Sequence, residues 1–150
     1  MLPKYRVKVE VKYILFTAYN SYNLTMSRYR YYNPNPIRDD ASDCVIRALC
    51  RVTGKSWAEC YIDLVEKGLE IGDVISSNTV WIAHLRDLGF KKEIIPNTCP
   101  DCYAFEDFCI DNPQGIFVVG TGSHVATIVD GLLYDSWDSS EQIPLFFLRR

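Results

Sequence analysis

Alternating apolar and charged residues open the chain. Val7, Val9 and Val11 fall on one side, and Arg6, Lys8, Glu10 and Lys12 on the other, which predicts a half-buried strand over Arg6–Tyr13. Residues 20–25 are polar and loop-like, and Met26 opens a new run. Residues 1–25 are therefore expected to be an N-terminal extension with one strand, and 26–150 the functional domain. Arg28–Tyr32 interleaves arginine with tyrosine, a composition suited to stacking on single-stranded nucleic acid. In an acidic chain the expected role is an edge strand or ordered loop instead. Asn33-Pro34-Asn35-Pro36 forms a stiff loop leading to the next element.

From Cys44 the period lengthens to that of a helix. Val45, Leu49 and Val52 make an apolar stripe, Arg47 and Arg51 lie on another side, and Thr53-Gly54 ends the run. Ser42 or Asp43 is the expected N-cap. Ser56 and Glu59 form a capping box for a second helix, with Trp57, Tyr61, Leu64 and Val65 at core spacing and a stop by Gly68. Asn78 is expected to cap a third helix that turns Trp81, Leu85 and Leu88 inward and stops at Gly89. A short fourth helix follows Thr98–Asp101, presents Phe105, Phe108 and Cys109, and ends before Pro113. After Gly115 the pattern changes to strands: Ile116–Val119, His124–Val129, Leu132–Ser136 and Ile143–Leu148. Helices first and strands last predict an α+β fold, with N-terminal helices packed on a C-terminal antiparallel sheet.

A length of 150 residues suits one domain, and 48% hydrophobic residues argue for a packed core rather than disorder. A net charge of −3 gives no electrostatic reason to expect nucleic acid. Lys12 breaks the first apolar run, so no signal peptide is expected, and no stretch approaches the roughly 20 apolar residues of a membrane span. The expected location is the cytoplasm, away from any membrane, with all six cysteines reduced.

The candidate chemistry gathers in the hairpin. Asp130-Gly131 is a strong two-residue turn signal. With that turn, Val129 lies opposite Leu132, Ala126 opposite Asp135, and His124 opposite Trp137. His124, Asp135 and Trp137 then share one face, with Asp135 diagonal to His124. An odd-length loop would instead bring Ser136 and Asp138 beside His124, and Asp130 is a further competing carboxylate. A carboxylate beside His124 can hold one imidazole nitrogen and leave the other for proton transfer. The matching nucleophile is Cys44, placed in the first turn of its helix, where the helix dipole and open amides favour a thiolate and can serve an oxyanion. The other histidine, His84, has mainly apolar neighbours at helical spacing and reads as structural.

A Cys at a helix N-terminus, then a His on a strand, then Asp on the next strand resembles the order of papain-like cysteine peptidases. Ser123-His124-Val125-Ala126-Thr127-Ile128-Val129 is similar to the family's His strand, and Asp135-Ser136-Trp137 to its Asn-Ser-Trp. The resemblance spans roughly 33–148 and is nearest to compact bacterial and phage members, such as the peptidase domains that process bacteriocins. It implies a papain-like hydrolase, needing no cofactor, that acts on a peptide or protein substrate. Cys44 would be the nucleophile, His124 the acid and base, Asp135 the orienting residue, and Trp137 the cover over the His–Asp bond. Two departures stand out. The family's oxyanion Gln before the Cys is missing, since the only glutamines are Gln114 and Gln142; Asn33, Asn35 or Arg38 could stand in. Asp also replaces Asn as third residue, as in transglutaminase-like acyl transfer, so a hydrolase or acyltransferase on an amide or isopeptide bond is the expected class.

Two alternatives remain. The scaffold could be a non-catalytic binding module, such as a phage or bacterial inhibitor, with Cys44 occluded and an apolar patch exposed. Or the chain could be a thiol–disulfide protein, since Cys99-Pro100-Asp101-Cys102 opening a helix resembles the glutaredoxin-like redox motif, with Leu88–Ile95 as its preceding strand. Neither Cys60 and Cys109 nor the histidines add a second ligand pair at zinc spacing, so no metal is expected.

Overall fold

The central strands are buried on both faces, and the rest of the chain is arranged to cover them. The computed structural model describes residues 27–150; the expected strand at Arg6–Tyr13 and the division of the chain after residue 25 lie outside the described residues. In chain order the elements are β1 (Tyr29–Tyr31), α1 (Cys44–Thr53), α2 (Trp57–Ile71), α3 (Asn78–Asp87), β2 (Lys91–Ile94), α4 (Phe105–Asp111), β3 (Ile116–Gly120), β4 (Val125–Val129), β5 (Leu132–Asp135) and β6 (Phe146–Arg149). The fold is α+β, with helices mainly in the first half and strands toward the end, as the pattern predicts. The strands form one sheet of order β1-β5-β4-β3-β6-β2. Every pairing is antiparallel except β1 with β5, which is parallel.

Alternation in the middle strands divides the core. Val118, Val125 and Leu148 face α1–α3 and pack with Leu49, Leu64, Trp81 and Leu85. Phe117, Val119, Ala126 and Ile128 face the other way and pack with Phe105, Phe108 and Cys109 of α4. With both faces covered, β3 and β4 read as continuous apolar runs rather than as alternating ones. The β4–β5 hairpin has the expected register, Val129 opposite Leu132 and Thr127 opposite Tyr134. Its turn residues both have positive φ, 49° at Asp130 and 71° at Gly131, as a tight two-residue turn of this kind requires.

The differences from the sequence pattern have local causes. α2 continues through Gly68 to Ile71, because Gly68 is buried where the following turn folds back over it. Ser77, not Asn78, caps α3: its side chain accepts from the Thr79 amide, and Asn78 becomes the first helical residue. The last strand begins at Phe146 rather than Ile143, since the Leu145 amide donates to Gly120 and ends the preceding loop there. The Arg-Tyr run is an edge strand, as expected, and Arg51 of α1 stacks on the Tyr134 ring at 3.9 Å. Among the described residues no helix is long and apolar enough to cross a membrane.

Gly120 is placed where β3 meets the Phe146 ring, and a Cβ there would overlap that ring. Phe146 cannot retreat freely, because it stacks on Trp81 with centroids 5.9 Å apart. Gly120→Ala is therefore expected to destabilise the fold by about 1–3 kcal/mol, read as a lower urea midpoint at unchanged slope.

Candidate active site

The first turn of α1 leaves its amides open. Asp43 is the N-cap, but its side chain makes no cap bond to the helix. Its carboxylate instead pairs with Arg47 through Oδ1 and accepts from Trp57 Nε1 at 2.8 Å and Asn35 Nδ2 at 2.9 Å through Oδ2. Cys44 thus begins a helix whose N-terminal N–H groups and positive dipole end are not consumed by a side-chain cap. The chain reaches this point along β1, which pairs beside the end of β5: Tyr31 lies opposite Asp135, and the Tyr32 amide donates to the Asp135 carbonyl at 2.7 Å.

His124 sits in the short loop before β4, where its carbonyl accepts from the Thr121 amide at 2.8 Å. Its Nε2 lies 2.5 Å from Asp135 Oδ2. The pair that meets is the one the two-residue turn predicts, and the Val129–Leu132 register excludes the odd loop. The ladder ends at Thr127–Tyr134, however, and Asp135 reaches Arg47 of α1, although strict alternation would set it with Leu133 on the α4 side. Ser136 contributes only its amide to Asp135, and Asp138 accepts from the Ser140 amide. The Trp137 ring tilts against the imidazole with centroids 5.1 Å apart and is itself half-exposed, so it covers one side of the His124 ring.

Cys44 completes the group. Burial pushes its thiol up, but hydrogen bonds from His124 and the Val125 amide, with the charges of His124 and Arg47, outweigh burial and leave the pKa below the ordinary cysteine value. For His124, burial favours the neutral ring; the bond to Asp135 and then that to Cys44 reverse this and raise it to about 9. Since Asp135 occupies Nε2, Nδ1 is the nitrogen left for Cys44. Asp135 is also pushed up by burial and brought down, below the usual carboxylate range, by His124, Ser139 and the Ser136 amide. The three shifts agree: the arrangement favours thiolate, imidazolium and carboxylate together.

Cys44, His124 and Trp137 line a cavity of about 620 Å³ that opens to solvent. The residues suggested as oxyanion donors are not in its wall. Asn35 spends its amide inside the loop, accepting from the Ile37 and Arg38 amides and donating to Asp43. Arg38 pairs with Asp40 at 2.9 Å in solvent, where a neighbouring carboxylate is its nearest counter-charge. Asn33 bonds to Arg38 and Asp39.

Two residues enter the site that the pattern did not place there. Asn78 lines the cavity, and its Oδ1 accepts from Trp81 Nε1 at 2.9 Å. Because an indole nitrogen only donates, the oxygen must face Trp81, which leaves the two Nδ2 hydrogens on the other side. The capping signal read at Asn78 pointed to this helix start but not to the cavity. Arg47, expected on the polar side of α1, is buried, with its side chain 7% exposed, and it reaches both Asp43 and Asp135.

The remaining cysteines stand apart. Cys99 and Cys102 form a disulfide, contrary to the expectation of six reduced cysteines; the turn between them brings the two side chains together. This pair does not open a helix as the redox motif requires, because α4 starts only at Phe105. Among the described residues no cluster of metal-ligating side chains forms, and His84, 3.9 Å from Asp63, is partly buried away from the cavity.

Comparison with protein-family models, with curated proteins and with solved structures found no match to this chain.

With only two histidines in the chain, the electrostatics can be read directly. His124 is expected to titrate at about 9, while burial moves His84 below 6.5, so the two NMR midpoints fall on opposite sides of the ordinary value. Alkylation of Cys44 by iodoacetamide is expected to precede that of Cys50, Cys60 and Cys109 and to persist below neutral pH. In His124→Ala the lowering partner is gone and burial remains, so the profile moves to higher pH. Equal, slow labelling of the free cysteines in the parent protein would contradict an activated Cys44.

Proposed function

We propose that the chain is a cysteine hydrolase or acyltransferase acting on an amide or isopeptide bond, in the manner of the papain-like peptidases that its Cys, His and Asp order resembles. The observation that supports this best is the meeting of Cys44 and His124 at the wall of one open cavity, with the buried Asp135 behind them, 2.5 Å from Nε2 of His124. A thiolate at a helix N-terminus, a histidine with one nitrogen free and a buried carboxylate on the other are the parts that acyl transfer through a thioester needs.

The cycle follows from their placement. The Cys44 thiolate attacks the substrate carbonyl carbon, and the C=O electron pair moves onto oxygen. The open Cys44 amide donates to that oxyanion, and Asn78 Nδ2 is the second donor, filling the place of the absent Gln. His124 gives its Nδ1 proton to the leaving nitrogen, the C–N bond breaks, and a thioester remains on Cys44. A water or an acceptor amine then loses a proton to His124 and attacks the thioester; the C–S bond breaks and the thiolate–imidazolium pair is restored. Asp135 stays ionised throughout and holds the ring.

The accessible cavity around Cys44 argues against the occluded cysteine of a binding module. Cys99–Cys102 sits in a loop rather than at a helix N-terminus, which argues against the redox alternative.

Fluorogenic peptide and isopeptide libraries test the proposal. Cys44→Ala and His124→Ala are expected to abolish turnover of any substrate found. Turnover that survives both substitutions would refute the assignment. Asn78→Ala is expected to lower kcat by about 10²–10³-fold, the usual effect of losing one oxyanion donor, while leaving Cys44 alkylation unchanged.

A further inference from the structure

Arg47 is a buried cation that takes no step in the reaction just described, although its charge helps to lower the Cys44 thiol. It lies one turn after Cys44 on α1, and its guanidinium bridges two buried carboxylates: Asp43 through Nη1, and Asp135 Oδ1 through Nη2 at 3.3 Å. Asp43 precedes the same helix, whereas Asp135 is 88 residues away in sequence, at the end of β5. Taking one cation and two anions out of water costs several kcal/mol, and apolar side chains of similar volume often serve stability as well. Such a group therefore calls for a reason other than stability.

Its effect on Asp135 supplies one. The Asp135 carboxylate accepts four bonds: from the Ser136 amide at 2.7 Å and Arg47 on Oδ1, and from Ser139 Oγ at 2.6 Å and His124 Nε2 at 2.5 Å on Oδ2. Its acceptor sites are filled, so the plane of the carboxylate is set and Oδ2 is aimed at the imidazole. Of these donors, Arg47 alone belongs to the helix that carries Cys44.

We propose that Arg47 is a positioning residue that clamps the Cys44 helix to Asp135, so that the carboxylate holds His124 in line with the thiol. This rests on Cys44 and His124 working as a pair, as proposed above. The charged and titratable groups around it are Asp43 at the start of α1, Cys44 on α1, Asp135 on β5, His124 beyond it, and the Tyr29 phenol on β1, which feels the Asp135 charge.

The test turns on a sign. Loss of a nearby cation alone would make the imidazolium easier to form and push His124 up. Loss of orientation breaks the Asp135 bond that holds His124 high and pulls its midpoint down. In Arg47→Met the NMR midpoint of His124 is expected to fall from about 9 toward 6.5, and Cys44 alkylation at pH 6 to slow by up to about tenfold for each unit its own pKa rises. Arg47→Lys keeps the charge but cannot fork to both carboxylates, so it is expected to restore folding and only part of both shifts. If Arg47→Met does not fold, Asp43→Asn combined with Arg47→Met removes one of the two stranded carboxylates, and Arg47→Lys is read beside it. A folded variant in which His124 stays at its midpoint or rises overturns the proposal whatever happens to alkylation, because loss of the Arg47 charge alone already raises the Cys44 thiol. If instead the parent protein has His124 near 6.5 and an unreactive Cys44, it is the underlying cysteine–histidine reading that fails.

Discussion

A buried carboxylate that accepts four hydrogen bonds constrains everything that touches it, and Asp135 is such a group. The loop after β5 bonds it through Ser136 and Ser139, the loop before β4 through His124, and α1 through Arg47. β1 adds a main-chain bond to its carbonyl. Each contact alone has an ordinary strength of about 1–3 kcal/mol. Together they fix the angle between the helix and the end of the sheet, because shifting either would strand a charge in the interior.

That angle depends on how the sheet is covered. β4 is buried on both faces, so α1 must lie close against one of them while α4 fills the other. Thr127 Oγ1 reaches the Ala48 carbonyl of α1 across this contact. With the body of α1 seated there, its first turn is carried toward the sheet end, where the β4–β5 ladder stops and His124 and Asp135 face one another. The diversion of Asp43 matters as much. As an ordinary N-cap it would bond the helix amides and set its own charge beside the thiol. Held by Arg47, Trp57 and Asn35, it leaves those amides for other work.

The proposed likeness to papain-like peptidases rests on a few residues in a set order. The missing Gln and the Asp in place of Asn are departures within that likeness. Under that proposal Asn78 and Arg47 would give each departure a physical counterpart: an amide held by Trp81 at the cavity wall, and a guanidinium balancing a charge that a neutral Asn would not carry.

Much of this was legible in the order of residues. The capping box at Ser56–Glu59, the turn at Asp130-Gly131 and the hairpin register that brings His124 near Asp135 and Trp137 are local matters, because backbone geometry determines them within a few residues. Cys44 at a helix start is equally local. Other features waited on packing. A helical stripe reports which side is apolar, but not that a buried carboxylate will draw Arg47 inward from the polar side. The same limit hid the parallel seat of β1 beside β5, the turn of the Asn78 amide toward Trp81, and the Asn35 side chain spent on Asp43. These depend on partners far apart in the chain, and periodicity carries no information about which distant charge or donor a folded backbone will bring within 3 Å or so. Sequence by itself determined the pieces of the site and the local register that aligns them; tertiary structure decided their counter-charges, because only the closed core takes water away and makes each buried charge find a partner.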